Sequence, residues 1–215
     1  YHIKAGKEIF AAEGAFGQYL VCFRELPVAI GITAGAREYL AADICLKYMK
    51  EAVSIPCPEE KREEGEKYLE AKIKSLSLPQ PEGRLKTAEK ELSGLFNREI
   101  IFTENPRNIE SAKIIPEGCK LRLEMIVQGE KKIAYAGFKQ NDLYPDDFTK
   151  RYHSIAYGMD QETLYLSVGL LNTSYREEYS FWVNSKDTVI ATWRPNVTYL
   201  PEQPDMVWKF TGNFK

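Results

Sequence analysis

The spacing of apolar residues changes near residue 97. In residues 36–54 they recur at helical intervals around a broad arc, which is typical of a helix packed against several neighbours. Residues 58–78 carry a narrower apolar stripe among many Glu and Lys side chains, as in a solvated surface helix. Residues 84–95 predict a short third helix. We therefore expect residues 1–97 to form a mainly helical subdomain.

Beyond that point the apolar positions recur at every second residue. A half-buried strand is predicted where Leu121, Leu123, Met125 and Val127 alternate with polar residues. The same alternation recurs in later segments, with turn residues between them, and indicates roughly seven short strands joined by hairpins. Helices before strands favour the α+β class. We expect an N-terminal helical layer packed on a C-terminal antiparallel β-meander over residues 98–215, as a curved sheet or sandwich, in one compact unit.

The start of the chain is ambiguous. Small residues dominate the first 36 positions, and the run Tyr19–Phe23 fits either a short strand or a buried helical turn. Periodicity does not separate these alternatives in so short a run.

Composition excludes several classes of protein. The 215 residues include 29 Lys and Arg against 31 Asp and Glu, a net charge of −2. No basic cluster indicates nucleic-acid binding, and no apolar stretch approaches the roughly 20 residues that span a bilayer. The sequence has no phosphate-binding glycine loop and no serine-hydrolase elbow, so no cofactor is predicted.

Four cysteines occur, at positions 22, 45, 57 and 119, without a Cys-x-x-Cys pair. A disulfide between Cys45 and Cys57 is one interpretation, and four buried free thiols are the favoured alternative. The cysteines, two glycosylation sequons at Asn172 and Asn196 and the absence of an initial Met suggest export. We therefore expect an extracytoplasmic location: secreted, periplasmic or at a surface.

Candidate catalytic residues are few. His153 follows Asp146 and Asp147 closely, and a carboxylate beside a histidine orients a general base. This predicts a hydrolase as an alternative function, although a structural or surface histidine is favoured. The Asp-rich segment lacks the spacing of a calcium loop and fits a hydrogen-bonded turn better. No metal site is predicted.

The strongest functional indication is aromatic. If Ser185 and Lys186 form a two-residue turn, then Trp182 and Trp193 share one face of a hairpin and Glu178 faces Trp193. Aromatic side chains are enriched at binding hot spots. We therefore predict a non-enzymatic binding module that engages a protein or small ligand through these three residues.

Two alternatives to this binding face stay open. A sheet with both faces covered would place the aromatic side chains in a core. A structural or assembly subunit would instead use the sheet to join copies of the chain.

Overall fold

The structure is a computed structural model that describes residues 2–5, 9–35, 41–56, 58–78, 80–81, 92–146, 151–160, 162–171, 173, 175–197 and 206–215. Its contacts divide the chain into two units, Tyr1–Pro79 and Gln80–Lys215. The apolar pattern of the sequence instead changes near residue 97. Each unit is described by itself.

The first unit opens with an antiparallel meander rather than with helices. Its strands are β1 (His2–Ala5), β2 (Ile9–Gly14), β3 (Gln18–Phe23) and β4 (Ala29–Ile32), hydrogen-bonded in that order. The ambiguous run Tyr19–Phe23 is therefore a strand. Ala11, Tyr19 and Val21 form a small buried core on one face of this sheet.

Two helices follow this sheet, α1 (Ala41–Ser54) and α2 (Glu59–Ser75). In α2, Glu59 and Glu60 lie in the first turn and Lys72 and Lys74 in the last, which complements the helix dipole. None of its residues is buried. Local charge pairing along the helix therefore supports α2 in place of tertiary packing.

The second unit is a β-barrel. A 3-10 turn at Leu92–Gly94 precedes ten strands. The strands are β5 (Glu99–Phe102), β6 (Ile109–Glu117), β7 (Lys120–Val127), β8 (Glu130–Phe138), β9 (Asp142–Asp146), β10 (Arg151–Asp160), β11 (Thr163–Leu170), β12 (Arg176–Ser185), β13 (Thr188–Pro195) and β14 (Trp208–Phe214).

Pairing of β10 closes the barrel. On one side β10 pairs with β11 over its length, from His153 opposite Leu170 to Asp160 opposite Thr163. On the other side its first half pairs with β9, and its second half pairs in parallel with the end of β8, where Tyr157 lies opposite Phe138. Nine strands therefore form a closed ring, with β9 beside it.

This closure corrects the predicted fold class. The prediction of an N-terminal helical layer packed on a C-terminal antiparallel β-meander, as a curved sheet or sandwich, is wrong, because the strands from β5 to β14 close into a ring and bury their apolar face inside it. A closed sheet has no edge strand and needs no covering layer. The N-terminal unit, for its part, begins with a sheet of its own.

The barrel interior is apolar and aromatic. Near its middle, the Phe102 ring contacts those of Phe210 and Phe181, with centroids 5.3 and 6.3 Å apart. Leu92 and Leu95, from the 3-10 turn and just after it, are fully buried in the same core. The 3-10 turn contacts β12 near Val183, at the end of that strand away from Arg176.

Candidate functional site

A polar cluster lies inside the barrel at the end opposite the 3-10 turn. The register of β12 and β13 places Tyr179 opposite Trp193 and Phe181 opposite Ala191. Because Phe181 and Ala191 are buried in the barrel core, Tyr179 and Trp193 share the inward face, and both pack against that core. Glu177, two residues before Tyr179, lies on the same inward face and closer to this end of the barrel, which we call the mouth.

Arg107 reaches this cluster from the loop between β5 and β6. Asn105, which is buried, shapes that loop: its Oδ1 accepts hydrogen bonds from the backbone N–H groups of Arg107 (3.2 Å) and Ile109 (3.1 Å). Its Nδ2 donates to the carbonyls of Thr103 (2.9 Å) and Ile109 (2.8 Å). An Asn side chain that replaces backbone partners in this way fixes a turn. The position of Arg107 is therefore set by backbone geometry.

Arg107, Glu177 and Tyr179 form one hydrogen-bonded network. Nη2 of Arg107 lies 3.0 Å from Oε1 of Glu177 and donates to its Oε2 at 3.1 Å. The Tyr179 hydroxyl donates to the same Oε2 at 2.8 Å. The guanidinium carbon lies 5.2 Å from the centroid of the Trp193 ring, within range of a cation–π interaction. One cation, one carboxylate and two aromatic side chains therefore meet at the mouth.

The environment shifts the pKa of two of these groups. Burial, and then the charge of Glu177, raise the pKa of Tyr179 far above its ordinary value, so the phenol keeps its proton. Burial disfavours the charge of Arg107, but Tyr179 and Glu177 outweigh burial and the pKa of Arg107 is raised. At neutral pH Arg107 is therefore charged and Tyr179 keeps its proton.

Trp193 holds the one unsatisfied polar atom of this cluster. Its Nε1 is buried and has no hydrogen-bond partner among the residues that the structure describes. An indole N–H only donates, and leaving a buried donor unpaired costs about 1–3 kcal/mol. Among the described residues, this N–H is therefore a buried donor without an acceptor.

The predicted aromatic face is wrong in its register. Trp182 lies opposite Ile190 and Thr163, on the outside of the barrel, whereas Trp193 points inward. The cause is a register shift between Val183 and Ser185, which moves the pairing by one residue relative to the predicted turn. A one-residue shift exchanges the two faces of a strand.

The outward face carries the other predicted site residues. The ammonium of Lys209 lies 5.4 Å from the Trp182 ring centroid. Glu178 lies opposite Arg194 and pairs with Arg176 at 3.0 Å. The adjacent residue Glu177 shares the inward face with Tyr179, whereas Glu178 lies on the outward face.

The predicted catalytic residues lie partly outside the described structure. The backbone of His153 pairs with Tyr144 and Leu170, and that of Asp146 pairs with Arg151. Asp147 and the side chains of His153 and Asp146 are outside the described residues. The hydrolase alternative therefore stays a prediction.

The predicted disulfide between Cys45 and Cys57 also stays a prediction. Cys57 lies outside the described residues, and so does the side chain of Cys45, whereas Cys22 and Cys119 are free thiols. Within the described part of the chain, no group of three or more His, Cys, Asp or Glu is placed to hold a metal ion. Nor is any described helix long and apolar enough to cross a membrane.

An open groove of about 280 Å³ lies along strands β5 to β8. Its lining includes Glu99, Lys113, Glu124 and Lys131. The carboxylate of Glu124 pairs with Lys131 at 3.4 Å, and that of Glu99 pairs with Lys215 at 3.3 Å. Both glutamates of this groove are paired with lysines, and its lining carries no buried unpaired donor such as Trp193 Nε1 among the described residues, so the inner cluster is the stronger candidate site.

Comparison with solved structures finds similarity at low sequence identity. The chain resembles apo lipid binding protein 8 of Caenorhabditis elegans over 60% of its length and 99% of that protein, at 6% identity and a TM-score of 0.44. The similarity to the fatty-acid-binding protein of Drosophila melanogaster brain covers 55% of this chain and 98% of that protein, at 6% identity and a TM-score of 0.43. The similarity to secretory abundant heat soluble protein 4 of Ramazzottius varieornatus covers 58% of this chain and 96% of that protein, at 11% identity and a TM-score of 0.44.

No family model matches the sequence, and no curated protein matches it. At these identities no residue role is carried over from the matched structures to this chain.

Proposed function

We propose that this chain is a non-enzymatic binding protein that holds a small, mainly apolar ligand at the mouth of its barrel. The observation that carries the proposal is the buried, unpartnered Nε1–H of Trp193, set beside the Arg107–Glu177–Tyr179 network on an apolar inner wall. Ligand sites of this kind combine an apolar lining with a few polar groups that fix orientation.

The network is suited to holding a ligand rather than to transferring protons. Both oxygens of Glu177 interact with Arg107, and one also accepts from Tyr179, so the carboxylate is already engaged. The raised pKa of Tyr179 keeps that phenol protonated at neutral pH. A general base needs a pKa near the working pH, which the protonated Tyr179 does not offer.

The middle of the barrel limits how deep a ligand can enter. The rings of Phe102, Phe181 and Phe210 pack against one another there. The proposed ligand therefore lies between these rings and the mouth, where Trp208, opposite Trp193, is 40% exposed. Two of the matched structures are named for lipid or fatty-acid binding, and the proposed ligand belongs to the same broad class of apolar molecules.

The proposed aromatic surface is the inner wall with Trp193, in place of a shared face with Trp182. Export to an extracytoplasmic compartment stays a prediction, as do a protein partner and an assembly role.

A pair of tryptophan variants tests the proposal. We titrate the full chain with 1-anilinonaphthalene-8-sulfonate and with 1-dodecanol, and follow tryptophan emission. Trp193→Phe removes the free N–H and is expected to weaken dodecanol binding about tenfold, a loss of about 1.4 kcal/mol, within the range for an unmade hydrogen bond.

Trp182→Phe is the matched control. It makes the same change on the outer face of the same hairpin and is expected to leave the affinity within about twofold of the unmodified chain. Equal loss in both variants, or no saturable binding of either probe, would contradict a site at Trp193.

A further inference from the structure

The charges of the barrel-mouth cluster cancel. Arg107 supplies one positive charge and Glu177 one negative charge, and the two side chains contact each other through both carboxylate oxygens. The side chain of Glu177 is 17% exposed and that of Arg107 is 41% exposed, so water reaches the guanidinium more easily than the carboxylate. A ligand that enters beside Tyr179 and Trp193 therefore meets a carboxylate as well as a guanidinium.

This arrangement treats charged and neutral head groups differently. A ligand carboxylate would compete with Glu177 for Arg107 and bring two negative charges within a few ångströms of each other, which disfavours the pair. A hydroxyl, ester or ketone oxygen has no such conflict, because it accepts from Trp193 Nε1–H and leaves the ion pair intact. Specificity of this kind arises from an unfavourable interaction with the rejected ligand.

We propose that the barrel mouth selects apolar ligands with a neutral hydrogen-bond-accepting head group over free carboxylic acids, and that Glu177 is the residue that sets this preference. This inference rests on the proposed function and gives its ligand a chemical class. Tyr179 supports the preference, because its hydroxyl holds Oε2 of Glu177 in place at 2.8 Å.

The test compares three probes of equal chain length on the full chain: 1-dodecanol, methyl dodecanoate and dodecanoate at pH 8. The unmodified chain is expected to bind the two neutral probes at least tenfold more tightly than dodecanoate. Glu177→Gln keeps the shape and an acceptor oxygen but leaves Arg107 with an unmatched charge. In this variant we expect dodecanoate to bind at least tenfold more tightly than before, and dodecanol to change less than threefold.

Glu178→Gln is the matched control, because it removes the same charge from the adjacent residue on the outer face. It is expected to keep the probe preference of the unmodified chain. Dodecanoate binding to the unmodified chain as tightly as dodecanol would overturn the inference, and so would an unchanged preference in Glu177→Gln.

Failure of the proposed function has a different outcome. If none of the three probes binds the unmodified chain, the barrel mouth is not an apolar-ligand site and both proposals fall. If Glu177→Gln does not fold, which circular dichroism shows, the three-probe comparison on the unmodified chain still decides the head-group preference.

Discussion

At the scale of single residues, Tyr179 links the site to stability. Its pKa is raised above the 10.0 of an ordinary tyrosine by burial and by Glu177. A group whose folded pKa is raised stabilises the fold at pH values below its unfolded pKa and loses that contribution as pH rises further. Tyr179 therefore stabilises the barrel up to about pH 10, and this contribution declines above it.

The variant Tyr179→Phe isolates this effect. At pH 8 we expect it to lower the free energy of unfolding by about 1.5–3 kcal/mol, the range for a hydrogen bond to a charged group. Between pH 10 and 11.5 the difference from the unmodified chain should shrink. Urea unfolding midpoints measured across this pH range give the difference in stability between the variant and the unmodified chain. Tyr165→Phe, on the outer face, is the control. A difference that stays constant with pH would contradict the role given to Tyr179.

The same residues show what sequence reasoning can reach. Alternation along β12 places Glu177 and Tyr179 on one face and Glu178 on the other, and this is legible in the sequence. The alternation does not reveal which face of β12 points into the barrel, because each face carries an aromatic residue, Tyr179 on one and Trp182 on the other. Arg107 lies 70 positions from Glu177, and nothing in its local sequence predicts that contact.

At the scale of elements, the β12–β13 hairpin decides which residues line the barrel. The pairing runs from Ser185 opposite Thr188 to Val183 opposite Val189, with an irregularity between them. This register buries Val189 completely and leaves Ile190 on the outer face, partly exposed. The predicted two-residue turn at Ser185 and Lys186 would have placed Val189 opposite Trp182 instead.

Threonine substitutions distinguish the two registers. Val189→Thr keeps the shape but places a hydroxyl in the apolar core, which is expected to cost about 1–3 kcal/mol. Ile190→Thr on the outer face should cost less, within about 1 kcal/mol. Urea unfolding of both variants measures the difference. A larger loss at Ile190 than at Val189 would mean that the hairpin has the other register.

Other elements were predicted with mixed success. The strand at Leu121–Val127 is confirmed as part of β7, and the helix predicted at residues 58–78 contains α2. The strand β4 was missed, because Ala29–Ile32 is short and includes a glycine, which weakens a strand signal. Short local patterns therefore identified elements whose alternation or helical spacing was regular, and failed where small residues interrupted it.

At the scale of the whole molecule, ring closure was beyond the sequence pattern. Alternation predicts hairpins between neighbouring strands, but closure depends on β10 pairing in parallel with the end of β8 through only two residue pairs. Tyr157 and Phe138 meet there with ring centroids 4.9 Å apart. Two residue pairs do not change the alternation of apolar and polar residues along a strand. An open sheet and a closed barrel therefore have the same local sequence pattern.

The division into two units makes a further prediction about the whole chain. The buried residues of the barrel core run from Leu92 to Phe210, and the ring closes without any strand from the first unit. A fragment comprising residues 80–215 should therefore fold alone. We expect cooperative urea unfolding and dodecanol affinity within about threefold of the full chain, since the core and the site both lie inside the fragment.

The complementary fragment, residues 1–79, should behave differently. Its described core is limited to Ala11, Tyr19 and Val21 with a few partly buried neighbours, and Phe10 and Leu20 are exposed on the other face of its sheet. A core this small supplies only a few kcal/mol against the entropy of ordering the chain. We expect it to unfold at much lower urea than residues 80–215, as followed by circular dichroism. A barrel fragment that is unfolded, or that loses dodecanol binding while the full chain keeps it, would show that the barrel depends on the first 79 residues.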